Sequence, residues 1–179
     1  MSKLLILGAG QYGFVAKEVA ESMGCFSQID FLDDRSDIAI GKLDDIEKIE
    51  YDAAVVAIGN PVARSKLLAK VEKPITLVHP HAMVSKTATV DIGCIVEAMA
   101  VVCSNATVGK GCLVMSGAVV GHDSKVGDYC QLKYNCVISE RETVPDMSKV
   151  DDCVAYHSTT TPNEYMEWIK SKENEEVQT

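Results

Sequence analysis

The 179-residue sequence has few aromatic side chains, 6% with a single tryptophan, and little positive charge, Lys+Arg 17 against Asp+Glu 26. A net charge of −9 offers phosphate backbones no basic surface, so no nucleic-acid partner is expected. No apolar run approaches the roughly 20 residues of a membrane span, so no membrane partner is expected either. The run from Met1 to Leu7 is broken by Gly8, Gly10 and Gly13 before it reaches the length of a secretory signal. The seven cysteines are odd in number, which argues against a disulfide framework, and the four histidines are too few and too scattered to suggest a metal site. These absences point to a reduced, cytoplasmic chain of one or two domains, with 47% hydrophobic residues to fill its core.

The pattern changes near His79. Before it, short apolar runs alternate with helix-like segments. Strands are expected at Leu4 to Leu7, Gln28 to Leu32, Ala53 to Ile58 and Ile75 to Val78. Helices are expected at Gln11 to Met23, with Phe14, Val15, Val19 and Met23 on one face, and at Ala63 to Val71. Such alternation implies a parallel, right-handed α/β unit over residues 1–80, long enough for one mononucleotide-binding half only.

From Val84 the period becomes six. Val84, Val90, Val96, Val102, Val108, Val114, Val120, Val126, Leu132, Ile138, Val144 and Val150 stand in unbroken register. Four places after each of these, ten of the twelve residues from Ala88 to Val154 are Ala, Cys or Ser. Neither an α-helix nor a lone strand repeats in strict sixes, but a hexapeptide solenoid does. Each hexad forms one side of a triangular coil, giving four coils and a β-helix domain over residues 81–156. Cys94, Cys112, Cys130 and Cys136 take the small-residue position, and the first three should stack one coil apart as inert packing residues. Residues 157–179 form a third segment, in which Thr161-Pro162-Asn163-Glu164 reads as a capping box opening a helix over the last coil.

Gly8-Ala9-Gly10-Gln11-Tyr12-Gly13 fits G-x-G-x-x-G between a strand and a helix, with Asp33 twenty residues past the last glycine. Such glycines let backbone approach a phosphate, and the helix start supplies donors and positive dipole. Asp33, Asp34 and Arg35 end the second strand and Gly59-Asn60 the third, at the same edge of an open sheet. A tight turn and a helix start without ligand are the alternative readings of these two motifs. Of the histidines, His79 and His81 read as linker residues, and spacing suggests no partner for His157. His122 lies inside the solenoid with Asp123 beside it, where an imidazole can take a proton and a carboxylate can orient it.

A short Gly-rich α/β unit followed by hexapeptide coils holding Gly117-Ala118-Val119-Val120-Gly121-His122-Asp123 resembles the bacterial nucleotide-sugar and sialic-acid acyltransferases. Bacillosamine-pathway N-acetyltransferases and sialic-acid O-acetyltransferases are examples. The resemblance covers about residues 3–137 and implies a left-handed β-helix, a homotrimer with sites between subunits, and acetyl-CoA as co-substrate without a metal. It implies that His122 is the general base and Asp123 its acidic neighbour. It also implies that Gly8, Gly10, Gln11, Tyr12, Gly13, Asp33, Asp34, Arg35, Gly59 and Asn60 hold a nucleotide sugar. Met115, Gln131 and Asn135 stand at the CoA side. Met115 replaces an asparagine and Gln131 a histidine common in that family, and a thioether and an amide cannot supply the same hydrogen bond or proton.

The expected function is therefore transfer of an acetyl group from acetyl-CoA to an amino or hydroxyl group of a sugar, with a UDP-linked 4-amino sugar favoured. The alternative is a non-catalytic nucleotide-sugar-binding or scaffold trimer whose CoA site has decayed. A dinucleotide-dependent oxidoreductase fits less well, because the second nucleotide-binding half is missing.

Overall fold

The computed structural model describes residues 2–157. Strand β1 (Ser2–Leu7), helix α1 (Gln11–Met23), strand β2 (Phe26–Leu32), a short 3-10 turn (Leu43–Lys48), strand β3 (Ala53–Val56) and helix α2 (Pro61–Leu68) form the first unit. Its sheet is parallel, in the order β2-β1-β3. The apolar run of β1 puts it at the centre, and Leu4, Leu5, Ile6 and Leu7 are at most 1% exposed. Each such buried side chain contributes on the order of 2 kcal/mol.

Helix α1 differs from its expected orientation. The residues it buries are Gly13, Ala16, Val19 and Ala20, while Phe14 is 48% exposed and leans on Phe31 with ring centroids 5.8 Å apart. The reason is that α1 is sandwiched, with the sheet on one side and the coils on the other, and only small residues allow so close a fit. Helix α2 is shorter than the expected Ala63 to Val71. It is capped by Asn60, whose Oδ1 accepts from the Ala63 amide at 3.0 Å, and Pro61 occupies its first turn.

Two-residue strands then follow at every sixth residue, from Leu77–Val78 to Ala155–Tyr156. They stack into three parallel sheets, so the chain builds a left-handed β-helix of hexapeptide repeats. The expected last strand of the α/β unit splits between the two parts. Ile75 still donates to Ala54 at 3.0 Å, but Leu77–Val78 pairs with Ile95–Val96 and opens the first coil. The register places Leu77, Ile95, Leu113, Gln131 and Lys149 on one face, 18 residues apart. Met83, Val101, Val119, Val137 and Ala155 stand on the second face. Thr89, Thr107, Lys125 and Thr143 stand on the third.

Inside the coils, Val96, Val102, Val114, Val120, Leu132 and Ile138 are fully buried together with Ala100, Ala106, Ala118 and four cysteines. Outside, the first face is covered by the α/β unit. Leu77, Ile95 and Leu113 share one core with Leu4, Ile6, Ala16, Ala20 and Val55. The cysteine column is more than packing. Cys94 Sγ donates to the Gly109 carbonyl at 3.0 Å and accepts from the Cys112 amide at 3.3 Å, and Cys112 repeats both bonds with Gly127 and Cys130. The helix expected from Thr161 lies outside the described residues. Among the described residues no helix is long and apolar enough to cross a membrane, and no group of three His, Cys, Asp or Glu could hold a metal ion.

Candidate functional site

Two polar centres occupy different sides of the molecule. The first is the carboxyl edge of the α/β sheet. Gly8 has φ 108, and a Cβ on Gly13 would stand 2.1 Å from the Gly8 carbonyl oxygen, so the turn closes only with both glycines. Gly10 precedes α1 in extended conformation with open space around it, and no side chain caps the helix. The first amides of α1, at Gln11, Tyr12 and Gly13, are therefore free of capping side chains at the positive end of the helix dipole. Gln11 and Arg35 are exposed at this edge, as are Gly59 and Asn60.

Asp33 binds the edge together. Its Oδ2 accepts from the Ala9 amide and its Oδ1 from the Arg35 amide, both at 2.8 Å. These backbone donors, the Ala9 amide foremost, hold its carboxyl below the ordinary value. Asp34 accepts from the Leu43 amide at 3.2 Å. Both carboxylates thus shape the loops around the edge.

The second centre is the corner between the second and third faces. His122 Nδ1 lies 2.7 Å from Asp123 Oδ2, and Asp123 Oδ1 accepts from Asn105 Nδ2 at 3.0 Å. Asn105 occupies the same corner one coil earlier. His122, then Asn105, hold the Asp123 carboxyl below its ordinary value. Asp123 has φ 59, and its amide is anchored on the Ser104 carbonyl at 3.0 Å. The His122 carbonyl accepts from the Arg141 amide, also at 3.0 Å. With Nδ1–H donated to a carboxylate, the tautomer leaves Nε2 as a base on a side chain 50% exposed.

Met115, Gln131 and Asn135 do not join His122. Met115 is only 5% exposed, Gln131 is half-buried on the first face, and Asn135 is exposed at the corner between the first and second faces. A cavity of about 730 Å³ opens near that corner, between α1 and the coils, lined by Val15, Val19, His79, Glu97, Ser116 and Tyr134. Glu97 is 3% exposed and accepts from the Ser116 amide and hydroxyl at 3.1 and 2.9 Å. The Tyr12 hydroxyl is buried close by, outside hydrogen-bonding geometry, and burial followed by the Glu97 charge raises its pKa well above the ordinary value.

Arg64 is the other residue that sequence reasoning missed. It is fully buried on α2, and all five of its N–H donors meet carbonyls. Nη1 donates to Ile58 and Gly59 at 2.6 and 2.9 Å, Nε to Gly111 at 2.7 Å, and Nη2 to Tyr129 and Cys130 at 2.6 and 3.4 Å. A single arginine in a polar helix carries no sequence signal for this role. The same holds for Glu97, one acidic residue at a hexad corner.

Residues 3–71 match the family described as PglD N-terminal domain, and residues 105–140 match the bacterial transferase hexapeptide repeats. Among solved structures, the acetyltransferase domain of PglB from Neisseria gonorrhoeae FA1090 is 24% identical, with 86% of this chain and 93% of that one covered at a TM-score of 0.69. A histidine-to-asparagine variant of perosamine N-acetyltransferase from Caulobacter crescentus, in complex with CoA and GDP-perosamine, is 19% identical over 87% of this chain and 91% of that one, at a TM-score of 0.66. WeeI from Acinetobacter baumannii AYE is 16% identical over 91% and 98%, at a TM-score of 0.54. No curated protein matches the sequence. These likenesses are of fold, and the two domain matches say what its parts are similar to: a PglD N-terminal domain over residues 3–71 and the hexapeptide repeats of bacterial transferases over residues 105–140.

Proposed function

We propose that the protein is a sugar N-acetyltransferase that moves the acetyl group of acetyl-CoA onto the amine of a nucleotide-linked amino sugar, with a UDP-linked 4-amino sugar as the acceptor. The observation that carries this reading is the His122–Asp123–Asn105 chain, in which a carboxylate fixed on one side orients an exposed imidazole on the other. The neighbours add support. The PglB acetyltransferase domain is also known in complex with acetyl coenzyme A, and PerB with CoA and GDP-perosamine.

In this reading the acceptor nitrogen attacks the thioester carbon while His122 Nε2 takes its proton. The C–S bond breaks as the tetrahedral intermediate collapses, and the imidazolium returns the proton to the departing thiolate. Asp123 steadies the imidazolium. The nucleotide lies at the sheet edge, its phosphates on the amides that open α1 beyond Gly8, Gly10 and Gly13. Gln131 and Asn135 are available to the acetyl-CoA side, and Met115 supports the coil from beneath.

In this reading the protein works as a homotrimer. The corner bearing His122 lies opposite the face that the α/β unit covers, so one chain does not bring nucleotide and base together. The second face, which runs into the His122 corner, is apolar on its outer side, with Met83 57% and Val137 38% exposed. The third face presents threonines and Lys125 instead. A second copy packed on the apolar face would meet His122 with its own nucleotide edge.

The test is turnover of acetyl-CoA with UDP- and GDP-linked amino sugars, compared between the wild type and His122→Ala. Loss of one general base lowers kcat by roughly 10²- to 10⁴-fold. Turnover that survives the substitution would remove His122 as the base. UDP-dependent stabilisation without turnover on any acceptor would favour the nucleotide-sugar-binding scaffold instead.

A further inference from the structure

The α/β unit could ride on the β-helix as a loosely tethered binding module, and the apolar contact at Leu77, Ile95 and Leu113 alone would allow it to slide. Arg64 removes that freedom. Its donors divide between the end of β3, at Ile58 and Gly59, and two coil corners, at Gly111 and Tyr129–Cys130. Hydrogen bonds have fixed directions where apolar contacts do not, so five of them from one planar group set both distance and angle. The guanidinium is fully buried, and each carbonyl lost would leave a buried charge short of a partner. On the other side of the sheet edge, the buried Tyr12 hydroxyl faces Glu97, itself held by Ser116. That hydroxyl makes no hydrogen bond, so the edge carrying the glycine turn is held against the coils by the Arg64 bonds.

We infer that Arg64 is a positioning residue, which fixes the nucleotide-binding edge at one reach from the coils so that the acceptor group is delivered to the acyl-transfer site in register. This rests on the function proposed above. Arg64 touches no substrate and acts through Gly59 on one side and Tyr129–Cys130 on the other.

The test compares Arg64→Met, which fills similar space without donors, with Arg64→Lys, which restores a charge and part of the bonding. Kinetics are run at a temperature where both variants are folded by circular dichroism. The expected result is a kcat at least tenfold lower for Arg64→Met, with the Kd for UDP within twofold of the wild type, and an intermediate kcat for Arg64→Lys. A lowered melting temperature with kcat and KM unchanged would mean a structural role only and would overturn the inference.

A second readout needs no turnover. Cys25 in the α/β unit and Cys153 on the last coil are exposed and free. Spin labels on these two, with Cys103 replaced by Ala and labelled chains diluted into unlabelled ones, report the distance between the two parts. Arg64→Met should broaden that distribution, and an unchanged width would overturn the inference even if the wild type acetylates nothing.

Discussion

In the α/β unit the left-handed backbone positions are glycines, Gly8 at φ 108 and Gly24 at φ 67, whereas in the described coils eight of eleven are other residues. Met99, Asn105, Asp123, Tyr129, Asn135, Arg141, Met147 and Cys153 all sit at φ between 55 and 63. A side chain there costs roughly 1–2 kcal/mol. The coils hold these residues in place from outside. The amides of Asp123, Tyr129, Asn135, Arg141, Met147 and Cys153 each donate to a carbonyl of the preceding coil at 2.7 to 3.2 Å. The solenoid therefore imposes a turn that the α/β unit must obtain from local sequence. That freedom places a carboxylate, Asp123, beside His122 at a corner where glycine would be the unstrained choice.

The sharpest break in this comparison is Gly13→Ala. With the new Cβ at 2.1 Å from backbone, the α/β unit should lose about 3–5 kcal/mol, while the coils keep melting near their original temperature. Gly59→Ala, which meets nothing within 4 Å, should stay within about 0.5 kcal/mol. Two-step thermal unfolding followed by circular dichroism would check both, and equal effects would show that the turn is not the constraint described.

Asp33 gives a middle-sized effect with a pH signature. Its folded pKa is depressed by the Ala9 and Arg35 amides. The stability it contributes is therefore complete above its unfolded value of about 3.9 and is lost as pH falls through the lower folded value. In Asp33→Asn the acid-side decline of the α/β transition should flatten. A decline as steep as that of the wild type would place the titrating group elsewhere.

The smallest effect is expected in the coils. Met147 is 43% exposed at φ 57, so Met147→Gly removes the strain and loses some chain entropy. A net gain of at most about 1 kcal/mol in denaturant unfolding is the expected outcome, and destabilisation would contradict the strain.

The two regions also differ in how legible they were. The hexad register from Val84 to Val150 is a long-range signal carried by every coil, and the structure extends it to Leu77–Val78 and Tyr156. The glycine turn was equally readable, because Gly8 and Gly13 answer to steric contacts within the motif itself. The face of α1 was not. Phe14 and Met23 follow helical spacing, but a helix packed on two sides selects Gly13, Ala16 and Ala20 by size. The cysteine column was read as small apolar packing. Its thiols, which donate to carbonyls and accept from backbone amides, became visible in that role only once carbonyls such as Gly109 and Gly127 were brought beside it.

By itself the sequence determined the period, the glycine turn and the adjacency of His122 and Asp123, since each depends on residues near one another in the chain or on a repeat that stacks identical units. The tertiary structure alone decided what Arg64 and Glu97 do. Their partners lie on other elements: Gly111, Tyr129 and Cys130 for Arg64, Ser116 for Glu97. The tertiary structure also set the glycine-turn edge of the sheet and the His122 corner on opposite sides of one chain. Covering the first face is what buries Leu77, Ile95 and Leu113, and it leaves the far corner uncovered by the α/β unit.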